Sequence, residues 1–145
     1  MEAILRMCEV LGGDRVLGRK IHSPFDLDEA VRYGLPFSAF ERVCAKIALS
    51  GAEAIELIAS SSRTMARRKA RRQRLSATES DRLARLARIY ARALDVLEDE
   101  EKARRWLHKP NRSLGGRAPL KVIDTDIGAL EVERVLGRLE HGIFG

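Results

Sequence analysis

The sequence predicts an all-α fold from three observations. Strand-like alternation with regular turn spacing is absent. Ala, Leu, Arg and Glu, all strong helix formers, dominate its 145 residues. Cap residues recur just ahead of apolar residues at i, i+3, i+4 spacing.

Each element follows from such signals. Ser23-Pro24 starts a helix, with Asp26, Asp28 and Glu29 suited to its first turn and Gly34 as its stop. Pro36 opens the next, carrying Phe37, Phe40, Val43, Cys44 and Ile47. Ser50 caps a short helix from about Gly51 to Ala59, with Glu53 completing a capping box. Ser60-Ser61-Ser62 breaks it and caps a helix from about Arg63 to Arg72. Thr78 is expected to cap a long helix through Leu97, with a stripe of Leu83, Leu86, Ala87, Tyr90, Leu94 and Leu97. A shorter helix runs from Glu98 to Leu107, and His108 to Asn111 reads as a turn. Pro119 opens a short helix with Leu120, Val122 and Ile123. Thr125 or Asp126 caps a last one, whose apolar side is expected to hold Ile127, Leu130, Val135 and Leu139.

Composition narrows the function. Hydrophobic residues make up 45%, too many for a disordered chain, and charged residues 33%, with no apolar run long enough to span a bilayer. Met1-Glu2-Ala3 lacks a secretory leader's layout. The low aromatic share, 5%, disfavours RNA-stacking platforms. Cys8 and Cys44, in no CxxC arrangement, read as buried thiols of a reduced, cytoplasmic protein. No catalytic or metal site is expected. His22, His108 and His141 lie far apart, and neither Gly12-Gly13 nor Gly115-Gly116 leads into a phosphate-binding Gly-Lys-Ser/Thr. An enzyme is therefore not expected, nor a cofactor.

The net charge of +6 is concentrated in one place. Residues 63–74 hold Arg63, Arg67, Arg68, Lys69, Arg71, Arg72 and Arg74 with no acid, whereas 1–62 hold seven bases and nine acids and 75–145 thirteen and twelve. One positive site is implied, not a generally basic surface. Two short helices joined by a tight turn, the second basic, describe a helix-turn-helix. Arg63, Arg67 and Arg71 share one face, with Arg68 and Arg72 beside them. Ser62 and Thr64 at the helix start suit phosphate or base-edge contact. A solvated basic helix, or one that meets RNA or another acidic partner, is the competing reading. Ala59-Ser60 stands where such turns usually carry a glycine and then an apolar residue, so a looser turn is expected.

The run Arg63-Thr64-Met65-Ala66-Arg67-Arg68-Lys69, leading into Thr78-Glu79-Ser80-Asp81-Arg82, resembles the Xre/MbcA/ParS family of antitoxins. So do Trp106-Leu107, Pro110-Asn111, Leu114-Gly115-Gly116, Pro119-Leu120 and His141-Gly142-Ile143, and the likeness spans roughly Asp26 to the C-terminus. It implies a type II antitoxin for a RES-domain toxin that consumes NAD. Residues 1–75 would form a dimerising, operator-binding helix-turn-helix region that represses its own operon. Residues 76–145 would form a small helical toxin-binding region that covers the toxin's active site. Toxin contacts are expected at Trp106, Leu114, Gly115, Gly116, Pro119, Leu120, His141, Gly142, Ile143 and Phe144. From the residues alone, Trp106 is either a core side chain or an interface anchor, Gly115-Gly116 either a structural turn or a contact. Apolar Ile143-Phe144 either folds back or enters a partner. The alternatives are a stand-alone helix-turn-helix regulator without a toxin, and a neutralising partner that keeps its helix-turn-helix for dimerisation only.

Overall fold

A computed structural model describes residues 2–142, within which nine α-helices, two 3₁₀ turns and no strand are found. Ile143 and Phe144 lie outside the described residues. The backbone divides into two compact units, Met1–Arg88 and Ile89–Gly145, with the division inside one long helix.

The first unit begins with two helices that the cap signals above do not mark. Helix α1 (Glu2–Leu11) buries Met7, Cys8, Val10 and Leu11, and α2 (Gly13–Leu17) buries Leu17. Gly12 makes their turn at φ 117°, where a Cβ would lie 2.6 Å from the Val16 side chain. Helix α3 (Pro24–Tyr33) starts at a complete capping box. The Ser23 hydroxyl accepts from the Asp26 N–H, and the Asp26 carboxylate accepts from the His22 and Ser23 N–H groups. Helix α4 (Phe37–Ile47) turns Ala39, Phe40, Val43 and Ile47 inward and packs on α1. Cys44 on the same helix is only half-buried, against the expectation of a core thiol. Burial pushes both thiols up to about 11, so they stay protonated near neutrality.

Helices α5 (Gly51–Leu57) and α6 (Ser62–Arg71) follow, then α7 (Ala77–Leu97). The long helix is capped by Ser76, not Thr78. The Ser76 hydroxyl accepts from the Glu79 N–H at 3.1 Å, and the Glu79 carboxylate accepts from the Ser76 N–H at 2.8 Å. Both positions look like caps in sequence; Ser76 wins because glutamate three residues on closes the box. The link between α3 and α4 pairs with that between α6 and α7. The Leu75 N–H donates to the Leu35 carbonyl at 2.9 Å, and the Leu35 N–H to the buried Ser80 hydroxyl at 2.7 Å.

The second unit holds the end of α7, α8 (Glu100–His108), 3₁₀ turns at Arg112–Leu114 and Pro119–Lys121, and α9 (Asp126–Glu140). Asp99 caps α8, two residues later than the sequence signals place its start, because Glu98 turns left-handed at φ 55°. Tyr90, Ala103, Leu107, Leu120, Val132 and Leu136 form its core. Thr125 caps α9, accepting from the Gly128 N–H at 3.0 Å. A Cβ at Gly128 would collide with the Val122 carbonyl oxygen, so the first turn of α9 meets the preceding loop backbone to backbone. At its far end Arg92 grips Glu140 through two hydrogen bonds of 2.8 and 2.7 Å. The expected apolar side of α9 is corrected in part: Val135 is buried and Leu139 half-buried, but Ile127 is 74% and Leu130 46% exposed. The helix turns Ala129, Val132, Val135 and Leu136 inward instead.

Candidate nucleic-acid interface and partner surface

The turn between α5 and α6 is tight, contrary to the looser turn expected. Ala59 sits at φ 54°, its N–H donating to the Glu56 carbonyl at 3.1 Å while the Ser60 N–H donates to Ile55 at 3.1 Å. This is the paired closure a glycine normally makes, here adopted by alanine. Buried Leu57 and Ile58 hold the turn on the core. Ser61 then caps α6, its hydroxyl oxygen accepting from the Thr64 N–H at 3.1 Å, so Ser62 becomes the first helical residue.

Helix α6 touches the core through one buried residue, Met65. Arg63, Arg67 and Arg71 project at i, i+4, i+8 spacing and are exposed, as is Ser62 at the start; Thr64 is half-buried, its hydroxyl engaged by Ser61. Arg72 lies just past the helix in a left-handed C-cap and is exposed too. Arg68 differs from its neighbours. Its Nε lies 3.0 Å from Glu79 Oε1, and its guanidinium donates to the Arg74 carbonyl at 3.0 Å.

Glu79 is a junction that charge counting does not reveal. It is 7% exposed, accepts from the Ser76 N–H and the Ser60 hydroxyl, and forms an ion pair with Arg68. Burial opposes its charge, but these donors together hold the carboxyl below the usual glutamate range. The turn, the basic helix and the cap of α7 therefore share one carboxylate. Nearby, a pocket of about 370 Å³ is lined by Phe37, Glu41, Lys69, Arg72 and Arg74, and within it Lys69 pairs with Glu41 at 3.6 Å.

In the second unit the residues expected at a partner contact separate by depth. Leu114, Pro119 and Leu120 are buried and shape the loop from beneath. Gly115 and Gly116 are exposed at φ 69° and 82°, held in a small hairpin by Asn111 N–H to Arg117 carbonyl (3.0 Å) and Gly116 N–H to Asn111 carbonyl (2.9 Å). Trp106 is half-buried; His141 and Gly142 are exposed. Beside the glycine turn opens a groove of about 520 Å³, lined by Leu114, Gly115, Arg117, Lys121, Ile127 and Glu131 among others. Among the described residues no group of three side chains could hold a metal ion, and no helix is long and apolar enough to cross a membrane.

Comparison with known proteins places both halves of the chain in one family. Residues 26–88 match the Antitoxin Xre-like helix-turn-helix domain, and residues 92–142 match the Antitoxin Xre/MbcA/ParS C-terminal toxin-binding domain. The chain is 33% identical to an Antitoxin Xre of Yersinia enterocolitica over 90% of this chain and 91% of that protein. It is 31% identical to an Antitoxin Xre of Photorhabdus laumondii over 89% and 88%. A Prs ADP-ribosylating antitoxin of a Sphingobium species matches at 26% identity over 84% and 82%. The chain belongs to the Xre/MbcA/ParS family of antitoxins, whose role is inhibitory binding, not catalysis.

Proposed function

We propose, from the premise that this chain is an Xre/MbcA/ParS-family antitoxin, that it neutralises a RES-domain, NAD-consuming toxin and represses its own operon. In this reading the second unit covers the toxin's active site, while a cytoplasmic homodimer places two α6 helices on operator half-sites about one helical turn apart. The observation that carries it is the coexistence of a toxin-binding domain with an exposed, acid-free arginine face on α6.

Residue roles follow from depth. Ser62, Arg63, Thr64, Arg67, Arg71 and Arg72 contact DNA, the arginines through forks that suit guanine edges and phosphates. Arg68 contributes by holding α6 on Glu79. On the other unit, Trp106, Gly115, Gly116, His141, Gly142, Ile143 and Phe144 meet the toxin, and Leu114, Pro119 and Leu120 set the shape of the loop that does so. The closed Ala59-Ser60 turn supports a helix-turn-helix that still reads DNA over one kept for dimerisation alone.

The test is co-expression with the RES-domain protein encoded beside it, reading cellular NAD, together with a gel shift on the chain's own upstream DNA. NAD maintained only in the presence of this chain, and a shift lost at high salt, are the expected results. NAD still lost in its presence would reject neutralisation of that toxin. Repression without any toxin partner would favour the stand-alone regulator. Sedimentation giving a clean monomer both alone and on DNA would reject the dimer.

A further inference from the structure

The pocket between the end of α6 and the start of α4 is unbalanced in charge. Its lining holds three cations, Lys69, Arg72 and Arg74, against one carboxylate, Glu41. That carboxylate meets Lys69 at 3.6 Å across an exposed pair, a weak hold. Arg72 makes no ion pair among the described residues. Arg74 is fixed without being neutralised: its guanidinium donates to the Gly34 carbonyl at 3.0 Å and lies over the Tyr33 ring, 4.7 Å from its centre. Helix α4 meets the pocket with Phe37 and Ser38, and it opens with neither a side-chain cap nor an acid in its first turn. Its amide end therefore adds to the positive potential. The facing carbonyls of α6 are already taken, Arg68 and Lys69 accepting from the Gln73 and Arg72 N–H groups at 2.8 and 3.4 Å. Phe37, tilted against Phe40 with ring centres 5.4 Å apart, gives the pocket one apolar wall.

We infer that this pocket seats a phosphate group of the DNA backbone, with the adjoining sugar against Phe37. This rests on the operator-binding role proposed above, and it brings Lys69, Arg74 and Ser38 into that role. A helix about 10–12 Å across fills a major groove about 12 Å wide, so phosphates pass along both its flanks. Arg63, Arg67 and Arg71 share one side of α6, whereas Lys69 and Arg72 leave its last turn toward the start of α4. The pocket gathers cations and an amide end with no arrangement that selects a base edge, which suits a phosphate in any sequence. Its contact fixes the register of α6 on the duplex and leaves sequence reading to the arginine face.

The test is filter binding of the full chain and two variants, Ser38→Asp and Glu41→Gln, to the chain's own upstream DNA across a salt series. Ser38→Asp puts a carboxylate into the pocket but also into the first turn of α4, where it favours the helix. It is expected to weaken DNA binding about tenfold at low salt and to lower the salt slope by about one, with a melt that stays or rises. Glu41→Gln removes the competing acid and is expected to bind several-fold more tightly at low salt and less so at high salt. Both variants binding with the full chain's affinity and slope would overturn the seat, while a loss in Arg63→Ala/Arg67→Ala would leave DNA reading by α6 standing. Calorimetric titration with inorganic phosphate separates the sources. Phosphate bound by the full chain and not by Ser38→Asp, with equal DNA binding by both, would give the pocket to a free phosphate compound and overturn the backbone contact. Should Ser38→Asp melt early, Glu41→Gln decides: tighter, salt-dependent binding supports the seat, unchanged binding overturns it. Failure of the unmodified chain to bind its upstream DNA would overturn the proposed operator binding, and this inference with it.

Discussion

Helices α6 and α9 are anchored and exposed in opposite ways. Helix α6 buries one side chain, Met65, and shows solvent a row of arginines; α9 buries four and shows two apolar residues. A charged helix with one apolar anchor needs another hold, and Arg68 on Glu79 supplies it. A helix with four buried residues can leave apolar area uncovered without losing its place. The contrast predicts that DNA binding by α6 is strongly salt-dependent, whereas contacts made by α9 depend on apolar area.

The sharpest way to break this contrast is at Glu79. Glu79→Ala leaves the Arg68 guanidinium half-enclosed without its carboxylate and removes the acceptor for Ser60 and Ser76. A loss of about 3 kcal/mol is expected. Calorimetry should show the first unit melting well below its original temperature, with DNA affinity falling alongside. Toxin binding by the second unit should change little.

Next in size is the recognition face itself. Arg63→Ala with Arg67→Ala should weaken operator binding by about 1–3 kcal/mol for each arginine that reads a base. Each lost phosphate contact should lower the salt slope by about one. The melt should not move, since both side chains are exposed. Filter binding across a salt series checks this, and a double variant with unchanged slope would refute the assignment.

Acid should act on the same junction. The folded Glu79 carboxyl ionises below its unfolded value, so its contribution is complete above the ordinary glutamate range. That contribution disappears as pH falls through the lowered folded value. The melting temperature of the unmodified chain should hold between about pH 5 and 7 and decline below about pH 4.5, the unfolded glutamate range. Glu79→Gln should start lower at neutral pH and decline less. The smallest effect is expected at Ala59. Alanine at φ 54° carries left-handed strain, and Ala59→Gly relieves it at some cost in unfolded-state entropy. A gain of about 0.5 kcal/mol, with DNA affinity unchanged or slightly higher, would confirm that this turn is strained but correctly formed.

The parts legible in the sequence are those set by neighbours three or four residues apart. The capping box at Ser50 and the helix start at Ser23 are local patterns and form as expected, Ser23 adding a box with Asp26. Helix α1 carried a usable signal in Met7, Val10 and Leu11 at i, i+3, i+4, but no cap residue announced it. The ends near Ala59 and Arg72 were placed to within two residues, but not the left-handed turns made there, and at Ala48, without glycine. Arg68 looks in sequence like any other arginine of its run. Its separate role depends on Glu79, eleven residues away, and on a carbonyl in a loop. Ile127 and Leu130 show the limit of periodicity, which marks an apolar position but not whether a neighbour covers it.

In the proposed operator-binding role, the Arg68–Glu79 junction bears on how the chain can diverge between sister operons in one genome. Positions 63, 67, 71 and 72 hold side chains that nothing else in the first unit relies on for packing. They are free to drift toward a new operator one substitution at a time, each intermediate still folding. Position 68 lacks that freedom, since exchanging it strands a buried acid. Duplicated copies can therefore become insulated from each other's promoters by changes around a constant arginine. In a library randomised across α6 and selected on a foreign operator, Arg68 should be recovered in nearly every survivor while its neighbours vary.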